Sequence, residues 1–322
     1  MRIVGFSISF AMLLATPVVQ AQEQLVDPDF SVNIAKPAYA ANGPRVVIDE
    51  GHANFHTASG QYAPFAALLR ADGYSVAPGR AKFDSRSLAK VDILVIANAG
   101  SPHGQDTTTP AFTAAEIAAI DKWVRAGGSL LLIADHAPFG VVAESLARRL
   151  GVAFGKGWVF ERGNAGGLTT QIVYSRENGR LGDHTILNGR SAGEAVRTVK
   201  AFTGQSLIGP PGAAILLRIP AEAWEAPDRN LLDGSDAALR AANGGPPSLP
   251  AGVEAVGGRA QGIAFARGAG RVVVLGEAAM LSAQLVRLGP DRPQLRIGMN
   301  VEGLDNRQFA LNTMHWLSRV LD

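Results

Sequence analysis

Histidines and carboxylates recur where short apolar runs of this sequence end. Four of the six histidines belong to this pattern, together with four acidic residues. A histidine beside a carboxylate can be tuned to exchange a proton near neutral pH, and both side chains can bind a metal ion. The residues concerned are Asp49, Glu50, His52 and His56 after the first run, His103 after the third, Asp135 and His136 after the fourth, and Glu277 after a late one.

One chemistry that this set could support is a metal centre. Nitrogen and oxygen ligands suit Zn²⁺, and a catalytic site would leave one position open for water. A divalent metal, zinc first, is therefore the one candidate cofactor. No Glu follows His52 directly, so the zinc-protease helix motif is absent. The predicted ligands are His52, His56, Asp135 and His136.

The same residues could instead perform acid–base catalysis without a metal. In the scheme that covers both chemistries, His52 and His136 act as base or ligand, and Glu50 and Asp135 orient them or share the metal. His56, His103 and Glu277 support them from neighbouring loops. A serine nucleophile is only weakly indicated, because neither Ser101 nor Ser206 lies in Gly-x-Ser-x-Gly.

A structural role is the alternative for each of these residues, since buried polar groups need hydrogen-bond partners. Asp49 and Asp135 could simply bond backbone N–H groups. Trp158 suits core packing or a pocket edge. Arg162, Arg190 and Arg307 could bind an anionic substrate, although solvent-exposed arginines are common.

The elements that carry these residues alternate between buried strands and helices. Val46–Ile48 and Val91–Ala97 are continuous apolar runs, typical of strands covered on both faces. Thr113 and Glu116 form a capping box that begins a helix. The alternation predicts an α/β protein with a mostly parallel sheet and helices on both faces. Ligands of such sheets bind beyond the carboxyl ends of the strands, where the histidines and carboxylates lie.

Composition excludes several classes of function. The 322 residues are 47% hydrophobic, with 30 Lys+Arg against 28 Asp+Glu and no block of five like charges, so no nucleic-acid partner is expected. There is no cysteine, which excludes disulfides, thiolate metal sites and a cysteine nucleophile. The expected ligand is a small molecule or glycan, and the sequence does not indicate an oligomeric state.

The N-terminus has the features of a secretory signal peptide over residues 1–21. Arg2 precedes an apolar stretch, and Val19-Gln20-Ala21 is a small-x-small exit. Cleavage after Ala21 would leave a periplasmic or secreted protein with no stable membrane anchor. Residues 22–43 are predicted to be a leader segment, and 44–322 a single domain with a surface excursion near 221–258.

Several motifs together resemble exported bacterial proteins of the domain-of-unknown-function 4350 type. They are Val47-Ile48-Asp49-Glu50-Gly51-His52, Leu132-Ile133-Ala134-Asp135-His136, Gly270 through Glu277, Asn306 through Asn312, and Trp316-Leu317. The resemblance covers most of residues 44–321. It implies a flavodoxin-like fold, similar to class I glutamine amidotransferases and to related domains in gliding and intraflagellar-transport proteins.

The sequence departs from the amidotransferase pattern at the catalytic position. Those enzymes carry a Cys-His-Glu triad, whereas Asp135-His136 stands where the cysteine is expected, so thiolate-dependent glutamine hydrolysis is excluded. We expect a hydrolase-like enzyme for a polar extracellular compound such as a carbohydrate or ester. Because several relatives of the fold are non-catalytic, the alternative is a periplasmic binding or scaffold module for a glycan, peptide or envelope partner.

Overall fold

The computed structural model describes residues 23–102, 107, 109–164, 166–242, 245, 247–287 and 293–322. The predicted signal peptide and His103 lie outside the described residues. The strands are β1 (Glu23–Val26), β2 (Arg45–Asp49), β3 (Ser75–Gly79), β4 (Ile93–Ala97), β5 (Ser129–Ile133), β6 (Ala153–Phe154), β7 (Trp158–Arg162), β8 (Leu168–Thr169), β9 (Ile172–Ser175), β10 (Thr198–Ala201), β11 (Leu207–Ile208), β12 (Ala214–Arg218), β13 (Ala223–Ala226), β14 (Glu254–Ala255), β15 (Ala260–Arg267), β16 (Gly270–Leu275), β17 (Ala283–Arg287) and β18 (Leu295–Gly298).

The α-helices are α1 (Ala63–Ala71), α2 (Ser85–Leu88), α3 (Ala114–Arg125), α4 (Phe139–Val142), α5 (Glu144–Leu150), α6 (Thr185–Asn188), α7 (Leu231–Ala241) and α8 (Asn306–Leu317). Short 3₁₀ turns cover Ala192–Glu194 and Ala279–Leu281. None of the helices in the described ranges is long and apolar enough to cross a membrane.

A nine-stranded sheet forms the centre of the molecule, in the order β3-β2-β4-β5-β16-β15-β11-β6, with β12 also paired to β15. The strands from β3 to β16 run parallel to one another. The pairings of β15 with β16, β11 and β12, and of β11 with β6, are antiparallel. The α/β prediction is confirmed, but the sheet has a larger antiparallel part than the sequence predicts.

The sheet is covered on both faces because its central strands are apolar on both sides. In β4, Ile93 and Val95 pack into one core cluster, which also contains side chains of α1 and α8. Leu94 and Ile96 point the other way, into a second cluster with side chains of α3 and α5. Because the strands from β3 to β16 are parallel, their carboxyl ends lie at one edge of the sheet.

One local prediction is confirmed, since Thr113 and Glu116 form the capping box at the start of α3. The strands β15 and β16 pair as a hairpin around Gly268.

Three smaller sheets flank the large one, in the orders β1-β17-β18, β9-β10 and β14-β13-β7-β8. The segment expected to be a leader contributes β1, which pairs antiparallel with β17. The segment expected to be a surface excursion contains β13 and α7, and β13 pairs with β7. The described residues of both segments therefore contribute strands or a helix to the structure.

Candidate active site at the carboxyl edge of the sheet

A cavity of about 540 Å³ lies at the carboxyl ends of the parallel strands. The loops after β2, β4 and β5 contribute Phe55, His56, Asn98, Asp135 and His136 to its wall. The opposite wall is the inner face of the β1-β17-β18 sheet, through Gln24, Gln284, Val286, Leu295 and Ile297. Thr170, Gln171, Thr203 and Arg229 add further polar groups to the lining.

His56 is held in one tautomer by Asn98. The Oδ1 atom of Asn98 accepts from the backbone N–H of Asp135 at 2.8 Å, so its Nδ2 atom is the donor that faces Nδ1 of His56 at 3.2 Å. The proton of a neutral His56 ring must then lie on Nε2. Burial lowers the pKa of His56 to about 4 and outweighs the opposing charge of Asp135. His56 is therefore neutral at physiological pH.

The Nε2 atom of His56 has no protein partner. The residue is 3% exposed, and this nitrogen is buried without a hydrogen bond to any described group. Since the residue lines the cavity, a ligand atom or water there could accept its proton. A buried donor without a partner is costly, which makes this atom a marker of a binding site.

His136 has the opposite tautomer. Its Nδ1 lies 2.7 Å from the carbonyl oxygen of Ala137, which can only accept, so a neutral ring carries its proton on Nδ1 and leaves a lone pair on Nε2. The ring stacks on the indole of Trp158 at 3.5 Å between centroids and an angle of 14°. Trp158 thereby fixes the plane of the imidazole.

Asp135 links the two histidines to the far side of the cavity. Its Oδ1 accepts from the backbone N–H of His136 at 2.8 Å and from the hydroxyl of Thr203 at 2.9 Å. Its Oδ2 accepts from the backbone N–H of Ala278 at 3.3 Å. All these bonds fix the loop after β5, so Asp135 is a positioning residue.

Glu277 lies behind this loop and is fully buried. Its two carboxyl oxygens accept from the backbone N–H groups of Ala279 at 3.0 Å and Met280 at 2.7 Å. Burial raises the pKa of Glu277 well above its usual value, and the charge of Asp135 acts in the same direction. Glu277 therefore holds the turn after β16 and does not itself line the cavity.

His52 occupies a different site, which corrects the prediction that it works beside His136. Its Nδ1 bonds Asp49 at 2.9 Å, and its Nε2 bonds Glu116 at 3.0 Å. Its ring packs between Phe83 and Phe112, at 4.6 and 4.8 Å. With both nitrogens bound to buried carboxylates, His52 has no atom free for a substrate or a metal and does not line the cavity.

This buried triad is an ionic structural unit. Burial acts to lower the pKa of His52, but hydrogen bonds and charges from Asp49 and Glu116 together raise it above its usual value. Burial likewise opposes ionisation of Glu116, yet the hydrogen bonds from His52 and Thr113 outweigh it and bring that pKa to about 2. Glu116 thus serves α3 as a capping residue and His52 as a counter-ion.

Glu50 is also remote from the two cavity histidines. It accepts from the backbone N–H of Ala58 at 3.0 Å and forms an ion pair with Arg80 at 3.1 Å, so the orienting role predicted for it is wrong. The carboxylate beside His52 is its neighbour Asp49. Ser206 donates to the buried Glu225 at 2.5 Å and is not directed to the cavity.

The four predicted metal ligands do not converge. His52 is bound within its carboxylate triad, while His56, Asp135 and His136 surround the cavity. Among the residues that the structure describes, no group of three or more His, Asp or Glu is arranged to hold a metal ion.

Three contributors to the site were not identified from the sequence: Asn98, Thr203 and Arg229. Trp158, interpreted from sequence as a core or pocket-edge residue, supports the ring of His136. Asn98 could have been found, because it directly follows a predicted buried strand and has the left-handed φ of 48° that asparagine tolerates. Arg229 lies in the segment interpreted as a surface excursion, and nothing in its sequence context indicates a site.

A larger groove, of about 790 Å³, lies along α3 and α5. No histidine is among the described residues of its lining, and its Glu144 is paired with Arg148 at 2.8 Å. The groove therefore offers no group comparable to the two cavity histidines.

The fold and cavity define an α/β protein with a candidate site at the carboxyl edge of its sheet. No protein-family model matches the chain, and no curated protein matches it. Among solved structures, the mmIFT52 N-terminal domain is 13% identical over 85% of this chain and 97% of that domain, with a TM-score of 0.55. This likeness shows a shared fold.

Two bacterial structures described as ThuA-like match more loosely. The protein from Bacteroides uniformis is 12% identical, with a TM-score of 0.44, over 88% of this chain and 95% of that chain. The protein from Parabacteroides merdae is 10% identical, with a TM-score of 0.42, over 86% and 90%.

Proposed function

We propose that this protein is an exported hydrolase-like enzyme that acts on a polar compound bound in the carboxyl-edge cavity. The amidotransferase-like, flavodoxin-like fold implied by the sequence motifs is part of the proposal. It is supported by the order of the five parallel strands, β3-β2-β4-β5-β16. The second of these strands in the chain lies at the edge beside the first, and the other three follow in chain order, as in flavodoxin-like sheets.

One observation carries the proposal: the cavity presents two imidazoles of opposite polarity. His56 offers an N–H from its Nε2, whereas His136 offers a lone pair from its Nε2. Hydrolysis needs both functions, namely a donor for the oxygen that becomes negative and a base for the attacking water.

The proposed reaction with an ester uses these groups in order. His136 removes a proton from water through Nε2 as the water oxygen bonds to the carbonyl carbon. The carbonyl electron pair moves to its oxygen, which accepts a hydrogen bond from Nε2 of His56. When that pair returns, the ester C–O bond breaks, and His136 gives its proton to the leaving alkoxide. One water is consumed, and an acid and an alcohol are formed.

The experiment is a screen of the purified protein against small esters and acetylated sugars, followed by comparison of three variants. His136→Gln and His56→Gln should each lower kcat/KM by about 10²-fold or more, since each removes a proton carrier or an oxyanion donor. His184→Gln is the matched control, because His184 is half-buried against Trp316 and does not line the cavity. Activity that survives in both cavity variants would refute the proposed chemistry.

A non-catalytic binding module is the second candidate, favoured by apolar side chains at the cavity mouth. Phe55 is 50% exposed and Leu295 is 42% exposed, and both line the cavity. Exposed apolar groups beside convergent polar atoms are typical of ligand sites. A compound that binds wild type and is recovered unchanged, with weaker binding in His56→Gln, would favour this function over hydrolysis.

A further inference from the structure

We infer that the natural ligand carries an oxyanion, a carboxylate or a phosphate, which binds to Arg229, and an apolar portion that lies against the aromatic wall. The inference rests on the proposed function in that it concerns the same cavity, and it adds the substrate class.

Arg229 is brought to the cavity by the pairing of two strands. In the β7–β13 ladder, Ala226 pairs with Trp158, so the chain that leaves β13 passes over this indole. The guanidinium carbon of Arg229 lies 5.5 Å from the centre of the Trp158 ring. The same indole stacks on His136, which places Arg229 and the proposed base on one aromatic platform.

The Arg229 guanidinium makes no ion pair with any of the residues that the structure describes. The three arginines considered from sequence are engaged elsewhere: Arg162 donates to the carbonyl of Leu239, Arg190 pairs with Glu194, and Arg307 donates to the carbonyl of Asn33. Arg229 therefore keeps its planar set of donors for a ligand, and this fork fits carboxylate and phosphate oxygens.

The charges around the cavity also favour an anion. Among the described lining residues, Asp135 is the acidic one, and its oxygens already accept from His136, Thr203 and Ala278. The neutral His56 adds another donor, since its Nε2 is buried without a partner among the described residues. Arg229 is exposed, so water solvates its guanidinium in the free protein, and an oxyanion-bearing ligand would accept hydrogen bonds from both groups.

The rest of the lining restricts the body of the ligand. Phe55 and Phe139 lie 6.3 Å apart between ring centres, on the side of the cavity that also carries His136. Leu295 and Ile297 face them from the three-stranded sheet. A ligand that fills the space between these walls must have apolar surface, so the ligand class is an amphiphilic anion.

The test measures binding without turnover, using phenylacetate, phenyl phosphate and the neutral 2-phenylethanol by calorimetry at low salt. We expect wild type to bind at least one anion about 10-fold more tightly than the alcohol, because hydrogen bonds between charged groups are stronger than neutral ones. The tighter of the two anions identifies the oxyanion. Arg229→Gln should abolish this preference.

The matched control is Arg240→Gln. Arg240 lies in α7, close in sequence to Arg229, but pairs with Asp236 and does not line the cavity. The preference for an anion should persist in this variant. Anions that bind no better than the alcohol, or a preference that survives in Arg229→Gln, would overturn the inference. If the protein prefers anions but hydrolyses none of the compounds screened, the proposed enzymatic activity is refuted and the inferred ligand class stands. If it hydrolyses a compound but does not prefer anions, the inferred ligand class is refuted and the enzymatic activity stands.

Discussion

The amide nitrogen Nδ2 of Asn98 lies 3.2 Å from Nδ1 of His56 and sets the polarity of that ring. The arrangement works because Oδ1 of the same amide is occupied by the backbone N–H of Asp135, which prevents the amide from turning over. A residue outside the chemistry thus decides which nitrogen of His56 carries the proton.

Replacement of Asn98 by aspartate should reverse this tautomer. The new carboxylate can still accept from the backbone N–H of Asp135, but it cannot donate to Nδ1 of His56. The ring of His56 should therefore carry a proton on Nδ1, from which it can donate to the carboxylate. We expect the ¹⁵N NMR signals of the ring to show this shift and kcat/KM to fall by about 10²-fold, the loss typical when an oxyanion donor is removed.

The control for the added charge is Asn54→Asp. Asn54 accepts from the backbone N–H of His52 at 3.1 Å, a bond that aspartate can keep, and it does not line the cavity. As at position 98, the change to aspartate also removes a donor, here the Nδ2 group that lies 3.4 Å from the carbonyl oxygen of Ala97. A ring of His56 still protonated on Nε2 in Asn98→Asp would contradict the tautomer assignment.

Burial of His56 should make the protein less stable in acid. Its folded-state pKa of about 4 lies below the unfolded value of 6.5, so the unfolded chain takes up the proton first as the pH falls. Stability is therefore lost between pH 6.5 and 4, by about 3 kcal/mol in total. His56→Gln should lack this part of the pH dependence in denaturant titrations at pH 7 and pH 4.5. Equal losses in wild type and variant would show that His56 does not titrate in this way.

Variants of His52 and His136 should have different effects, the first on stability and the second on ligand binding. His52→Ala leaves Asp49 and Glu116 as buried carboxylates without their cation, and breaking such a pair typically costs about 3–5 kcal/mol. We expect this loss in the free energy of unfolding, with ligand affinity unchanged wherever the variant remains folded. His136→Ala should weaken ligand binding and change stability much less. Equal effects of both variants on binding would support the site shared by His52 and His136 that was predicted from the sequence.

The triad of Asp49, His52 and Glu116 should also make the free energy of unfolding pass through a maximum as the pH is varied. The raised pKa of His52 means that its contribution is complete below pH 6.5 and is lost as the pH rises through the folded-state value. Glu116 behaves oppositely, since its pKa of about 2 makes its contribution complete above pH 4.5 and lost in stronger acid. Unfolding free energies from pH 3 to 9 should show both losses in wild type, and His52→Gln should lack the alkaline one.

Export can be tested on the chain itself. When the protein is expressed with its own N-terminus in a bacterium, mass spectrometry of the exported fraction should find Gln22 as the first residue. An intact Met1 would refute the predicted cleavage after Ala21.

The parts of the fold that could be predicted are those determined by residues close to one another in the sequence. Thr113 and Glu116 lie three residues apart, so their capping box is visible from the sequence, and the hairpin around Gly268 follows from adjacent strands. The carboxyl-edge position of the site also followed, because it depends only on where parallel strands end.

The pairings within the site could not be predicted, because they join distant segments. His52 meets Glu116 only after α3 packs onto the sheet, and Glu116 already had a complete explanation as a helix cap. Asn98 and His56 face one another across two separate loops. Likewise, Arg229 reaches the cavity through the register of β13 on β7, which the sequence of neither strand specifies.

The pairing of β1 with β17 gives the site an order of assembly. Ribosomes release Gln24 early, yet its partner Val286 emerges only when nearly all of the chain has been made. The wall that carries both residues cannot close before then, and contacts so distant in sequence form late in folding. A chain that ends before β17 therefore lacks this wall, so such a truncated protein should bind the ligand more weakly.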